Sequence, residues 1–169
     1  MLNVISHGAP GALPPLLIVH GLFGSGRNWG VIARRLAEDR LVLTPDMRNH
    51  GDSFRDPVHG YPEMAADLAQ VIEAQGGRAD VVGHSMGGKA AMVLALTRPE
   101  LVDHLIVADI APVAYSHTQM QYVDAMRAVD LTRVAKRSDA AAQLAETVPE
   151  PALQALDRKS TRLNSSHYS

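Results

Sequence analysis

The segment from Ala79 to Arg98 constrains the fold more than any other. An apolar strand, Ala79-Asp80-Val81-Val82, runs straight into Gly83-His84-Ser85-Met86-Gly87-Gly88. A helical pattern that is apolar nearly all round then continues to Arg98 and is stopped by Pro99. The rest of the first two thirds repeats this alternation. Leu16-Leu17-Ile18-Val19 is a strand behind Pro14-Pro15, followed by a helix with Trp29, Ile32, Ala33 and Leu36 on one face. Leu41-Val42-Leu43 is a strand stopped by Thr44-Pro45, and a Gly/Asp/Pro-rich loop runs from Asp46 to Gly60. The next helix opens with Pro62, buries Met64, Leu68, Val71 and Ile72, and is closed by Gly76-Gly77. Leu105-Ile106-Val107-Ala108 is a further strand. Unbroken apolar strands alternating with helices give an α/β chain with a doubly wound, mostly parallel sheet covered on both faces. Ligand chemistry in such a sheet lies beyond the carboxyl ends of the strands. His20-Gly21, Asp46, Ser85 and Asp109 all fall there.

After Pro112 the texture changes. Met120, Val123, Met126 and Val129 recur at helical spacing, and a second short helix runs from Ser138, as its N-cap, to about Thr147. We read residues 1–112 as the core, 113–157 as the start of a helical cap, with plain surface helices of the core as the alternative, and 158–169 as an unstructured, non-native tail, with an ordinary disordered C-terminus as the alternative. That tail is polar, Ser-rich and without period, and is similar to a translated library adaptor.

Composition narrows the function classes. The net charge of −2 comes with scattered basic residues, so neither a nucleic-acid footprint nor a polybasic membrane anchor is expected. With no cysteine there is no disulfide framework and no thiolate metal site. The first residues lack the basic and apolar regions of a signal peptide, and no apolar run approaches the ~18 residues of a membrane span. A cytoplasmic protein is the expectation, with no metal, no cofactor, and no constraint on oligomeric state.

The chemistry converges on Ser85. A serine hydroxyl is a poor nucleophile unless it is exposed and held against a base. A sharp strand-to-helix turn exposes it but crowds its neighbours, and glycine two residues before and after removes the clash. The bare Gly-x-Ser-x-Gly pattern turns up by chance in roughly one chain of this length in twenty, so the strand entering and the helix leaving carry the inference. The backbone N–H of Met86, at the helix N-terminus, is placed to donate to an oxyanion. A second donor fits in His20-Gly21-Leu22-Phe23-Gly24-Ser25, with the N–H of Leu22 first and that of Phe23 next. Asp109 follows its strand directly; a carboxylate there is costly unless something uses it, and the use would be to orient an imidazolium. Asp46 is the rival acid, but hydrogen bonding within its own turn explains it better. His20 and His84 are read as packing beside the site. Of the eight histidines only His117 and His167 follow Asp109, and neither has the strand-then-loop context of a general base.

Four motifs now stand in order: His20-Gly21-Leu22-Phe23-Gly24-Ser25, Asp46 to Ser53, Gly83 to Lys89, and Asp109-Ile110-Ala111-Pro112-Val113. Together they resemble the α/β-hydrolase fold, and within it the small bacterial esterases related to the eukaryotic abhydrolase-domain proteins, from about residue 2 to about 157. The resemblance implies cofactor-free hydrolysis of carboxylic esters, including acyl-CoA thioesters. It carries over Ser85 as nucleophile, Asp109 as acid, and the N–H groups of Leu22 and Met86 as oxyanion hole. A serine at this place argues against the dehalogenases and epoxide hydrolases of the fold, which use Asp. Phe23 and His84 are candidate substrate-binding residues, with Met126 lining an apolar acyl pocket alongside Met120, Tyr122 and Val123. The family's chain continues past the cap into further strands and a histidine, so by resemblance this is a C-terminally truncated copy.

Two alternatives stand beside a serine esterase or thioesterase: an inactive truncated fragment, with Leu105 to Ala108 left as a bare sheet edge prone to aggregation, or a non-catalytic binding relative. Losing the base alone costs on the order of 10⁶ in kcat. The 169-residue chain is therefore expected to express poorly and to leave p-nitrophenyl butyrate unhydrolysed. A Ser85-dependent rate near that of intact esterases overturns this.

Overall fold

The computed structural model describes residues 1–114 and 120–148. Residues 115–119, with His117, and 149–169, with the end of the 113–157 segment, His167 and the 158–169 tail, lie outside the described residues. The chain forms two compact units, Met1–Pro112 and Val113–Ser169.

The first unit is built on a five-stranded sheet: β1 (Val4–His7), β2 (Leu16–Val19), β3 (Val42–Pro45), β4 (Ala79–His84) and β5 (Val102–Ala108). Their spatial order is β1-β3-β2-β4-β5, with β1 antiparallel to β3 and the other pairs parallel. The mostly parallel α/β sheet expected from the strand pattern is therefore present, with one antiparallel strand added at its β1 edge.

The pleat sends alternate residues to opposite faces. Leu17, Val19, Leu43 and Val81 join the main core with Met64, Leu68 and Ile72 of α2 (Tyr61–Glu73) and Ala90, Ala91 and Leu94 of α3 (Met86–Thr97). Leu16, Ile18 and Val42 face the other way, onto Ala33 of α1 (Gly30–Leu36). A single 3₁₀ turn, Gly26–Trp29, leads into α1. The expected apolar face of this first helix is only partly covered. Ala33 is buried and Trp29 packs against its cluster, but Ile32 and Leu36 stay 46% and 45% exposed. The helix is short, and among the described residues nothing lies over those two side chains deeply enough to bury them. On the same sheet face Ile106 of β5 is 60% exposed, and among the described residues β5 pairs only with β4.

The loop after β3 is fastened to α2 by a buried ion pair. Arg48 donates to both carboxylate oxygens of Asp67, at 2.6 and 2.9 Å, and to the carbonyls of Val58 and Glu63. Its guanidinium also lies 5.5 Å from the Phe54 ring centroid. The Asp67 carboxylate, with smaller help from the charges of Asp56 and Glu63, outweighs burial and pushes the Arg48 pKa up.

In the second unit, α4 (Met120–Arg127) and α5 (Arg137–Ala145) pack through Ala125, Leu144 and Val148, with Tyr122, Met126 and Val129 against them. The Gln143 side chain accepts from the Asp130 N–H and donates to its carbonyl, closing the connection between the helices. The expected N-cap at Ser138 is corrected. The helix begins at Arg137 with Lys136 as N-cap, because the Asp139 carboxylate reaches back to the N–H groups of Ala135 and Lys136.

Removing one member of a buried pair leaves an uncompensated charge. Asp67→Ala is expected to cost about 3–5 kcal/mol in urea unfolding. Asp52→Ala, which removes the exposed partner of Arg27, should cost under about 1 kcal/mol. Similar losses for the two variants would show that Arg48 is not held as described.

Candidate active site

Ser85 is the hinge residue between β4 and α3. Its backbone sits at φ 51°, ψ −117°, outside the regions open to an ordinary L-residue. Two hydrogen bonds hold it there: its N–H donates to the Ala108 carbonyl at the end of β5, and its own carbonyl accepts from Lys89 in the first turn of α3. The flanking glycines are required by close approach. A Cβ on Gly83 would stand 2.6 Å from the Gly87 carbonyl oxygen, and one on Gly87 would stand 2.5 Å from that of His20. Both contacts are shorter than any real side chain tolerates. The turn therefore has the geometry expected from Gly-x-Ser-x-Gly, with Met86 as the first helical residue and its N–H free of any intrahelical acceptor by position.

The loop after β2 presses against this turn. A Cβ on Gly21 would lie 3.2 Å from Ser85 Cβ and 2.8 Å from His84 Nδ1, so only glycine lets the two segments meet. The loop then turns sharply: the Gly24 N–H donates to the Gly21 carbonyl, and Phe23 between them has φ +62°. Leu22 anchors the turn by packing on the main core.

His20 is buried and bridges two loops. Met47 N–H donates to Nε2 at 3.0 Å, so Nε2 must be the unprotonated nitrogen. Nδ1 then carries the proton and donates to the Gly21 carbonyl at 2.8 Å. Burial is the largest influence on this ring and drives its pKa from 6.5 down to about 4, even though the Gly21 bond favours the charged form. The packing role expected of His20 is thus a specific one, a neutral tautomer joining the β2 loop to the β3 loop.

Asp46 is also buried. Its carboxylate accepts from Gly26 N–H, Asp52 N–H and the Asn3 side-chain amide, at 2.8, 2.9 and 2.9 Å. Burial by itself would raise its pKa; these donors, the Asp52 N–H foremost, outweigh burial and hold it below the usual value. The bonds reach beyond its own turn to β1 and to the 3₁₀ turn before α1.

Asp109 lies one residue past β5 with φ +58°, and Oδ2 is 3.6 Å from Nε2 of His84. The expectation that this carboxylate is costly to place is corrected: its side chain is 85% exposed, so water solvates it. The His84 ring meets Trp29 edge-on at 6.1 Å between centroids. Within the first unit Ser85, Met86, Leu22, Phe23, His84 and Asp109 thus gather at the carboxyl ends of β2, β4 and β5. Met126 belongs to the second unit, where it packs in that unit's apolar cluster. Trp29 was read only as a helix-face residue, and nothing in its spacing pointed to His84. Of the other described histidines, His50 pairs with the Arg48 carbonyl, His59 with Asn49 and His104 with Asp80, while the Nε2 of His7 in β1 is buried without a hydrogen-bond partner. No group of three or more His, Asp or Glu side chains that could hold a metal occurs among the described residues. No helix among them is long and apolar enough to cross a membrane.

Comparison with known proteins decides the family. A model described as "alpha/beta hydrolase fold" matches residues 14–160. The chain belongs to the α/β-hydrolase fold family. This α/β-hydrolase is 52% identical over 102 residues to the esterase YbfF of Escherichia coli, covering 60% of this chain and 40% of that protein. It is 42% identical over 159 residues to the sn-1-specific diacylglycerol lipase ABHD11 of Xenopus tropicalis, covering 86% of this chain and 48% of the relative. A solved marine microorganism esterase superposes with TM-score 0.84 at 36% identity, covering 94% of this chain and 62% of that one. The chain thus spans about half the length of the curated relatives it matches.

His20 supplies a test of the loop coupling. Its folded pKa lies below the unfolded value, so the unfolded chain binds the proton first. The stability it contributes is complete above about pH 6.5 and is lost as pH falls from there to about 4, by roughly 3 kcal/mol. His20→Gln should lower stability at pH 7 yet flatten the decline between pH 6.5 and 4 by about that amount, read from urea midpoints. An unchanged slope would mean that His20 is not held neutral.

Proposed function

We propose that this α/β-hydrolase is a serine hydrolase that cleaves carboxylic esters or acyl thioesters through an acyl-enzyme on Ser85. The observation that carries the proposal is the backbone of Ser85: a strained serine, walled by glycines, at the start of an apolar helix and against the β2 loop. Strain of this kind persists only where the surrounding structure holds it, and it gathers at reactive positions.

Ser85 Oγ attacks the substrate carbonyl, and negative charge develops on the carbonyl oxygen. The N–H groups of Leu22 and Met86 stabilise that oxygen, helped by the α3 dipole. The tetrahedral intermediate collapses, the alcohol or thiol leaves with a proton, and water releases the acid in a second round. The proton passes through a histidine base oriented by Asp109. None of the histidines with the partners described above fills that role, so the base comes from elsewhere in the whole protein. Asp109 suits the task by position, at a strand end with its carboxylate open. His84, facing Asp109 and Trp29, borders the substrate. The work is done on small-molecule acyl esters or acyl-CoA, by a cytoplasmic enzyme without a cofactor. The esterase and lipase names of its relatives support the reaction class.

A chimera tests the proposal. Joined to the remaining C-terminal part of the E. coli esterase, residues 1–114 should hydrolyse p-nitrophenyl butyrate. Ser85→Ala in the chimera should lower kcat by on the order of 10⁶. A folded chimera whose turnover survives Ser85→Ala rules out the acyl-enzyme on Ser85.

A further inference from the structure

Asp109 is the acid of the proposed reaction, yet its carboxylate has little to fix it. The backbone is set: φ is +58°, and the Ala108 carbonyl just before it accepts from Ser85 N–H. The side chain is 85% exposed, and exposed side chains flip between rotamers on the ps–ns scale. An acid that orients an imidazole must present one oxygen in one direction. Among the described residues, one side chain stands within ion-pair range of this carboxylate. It is His84, whose Nε2 lies 3.6 Å from Oδ2.

His84 is held where Asp109 is not. It is the last residue of β4, and its ring rests on Gly21: a Cβ there would stand 2.8 Å from Nδ1 and 3.3 Å from Cε1. Trp29, at the end of the 3₁₀ turn before α1, meets the ring edge-on. Trp29 packs in turn on the cluster of Leu16, Ile18 and Val42. The imidazole is thus wedged between a loop and an anchored tryptophan, with Nδ1 against Gly21 and Nε2 turned to the acid. A separation of 3.6 Å is longer than a hydrogen bond. A small rotation of the open Asp109 side chain closes it.

We infer that His84 is the positioning residue for the acid: its Nε2–H holds Oδ2 of Asp109 and leaves Oδ1 to face the catalytic base. The inference rests on the Ser85 reading and adds a group that acts through Asp109, not on the serine. The competing role is packing, since any flat ring of this size could fill the wedge. The two roles use different atoms, so two substitutions separate them. His84→Phe keeps a ring against Trp29 and removes the nitrogen. His84→Gln removes the ring and keeps an N–H donor at similar reach.

In the 169-residue chain, ¹⁵N–¹H correlation across the imidazole should show a proton on His84 Nε2, and Asp109→Ala should shift that resonance. A bare Nε2 overturns the inference. Activity is read in the chimera with the E. coli esterase. His84→Phe should lower kcat about fivefold, the upper range for an exposed charged pair, with KM and Tm nearly unchanged. His84→Gln should restore kcat to within about twofold while lowering Tm by about 2–4 °C. In an Asp109→Ala background His84→Phe should lower kcat no further. Full kcat in His84→Phe with a loss in His84→Gln assigns the ring to packing and overturns the inference. A change in KM at constant kcat places His84 on the substrate, and a loss as deep as that of Ser85→Ala makes it the base; either overturns the positioning role. All of these leave the acyl-enzyme standing. Turnover that survives Ser85→Ala removes the acyl-enzyme itself, and the inference with it.

Discussion

The buried carboxylate of Asp46 is the interaction on which the site depends. It gathers Asn3 at the head of β1, Gly26 at the turn before α1, and Asp52 in the loop after β3. Burying a carboxylate is unfavourable unless its oxygens are bonded, and here three donors satisfy them. The Asn3 N–H bonds the Ser53 hydroxyl, which donates in turn to the Asp46 carbonyl. His20 adds the link from Met47 to Gly21. Through this chain of bonds the loop that flanks Ser85 is referred back to the opposite edge of the sheet.

The same economy governs the turn at Ser85. The apolar strand β4 and helix α3 are both buried deeply enough to absorb a strained residue between them. The glycines at 83, 87 and 21 do not make the site flexible; they let three backbone segments approach to distances no side chain would permit. Rigidity and proximity thus come from one choice of residue. Phe23 spends part of this stability on a second strained position a short distance away.

Most of the sheet was legible because its strands are continuous apolar runs bounded by Pro and Gly. β2, β4 and β5 needed no information beyond local pattern. β1 was not read at all: Val4-Ile5-Ser6-His7 is short and half-polar, and its strand character comes from antiparallel pairing with β3, far away in sequence. The Gly-x-Ser-x-Gly turn was legible because its sterics are local. The environment of Asp109 was not, because exposure depends on what packs around a residue, and an acid at a strand end looks the same in sequence whether it is sheltered or open to water. The neutral tautomer of His20 and the left-handed Phe23 are tertiary outcomes of the same kind. The shift of the α5 start from Ser138 to Lys136 is a smaller case, where Asp139 outcompetes a nearby hydroxyl for the free N–H groups.

The hydrogen bond from Ser85 N–H to the Ala108 carbonyl has a consequence for the order of assembly. The strained turn is not self-sufficient; one of its two fixing bonds comes from a strand synthesised later. On the ribosome, β2, β3 and β4 can emerge and begin to pair while the serine is still in an ordinary, relaxed conformation. Only when β5 docks does the backbone at Ser85 snap into its final shape. The strained geometry is then a late event in folding, and an unfinished chain carries this serine with a relaxed backbone.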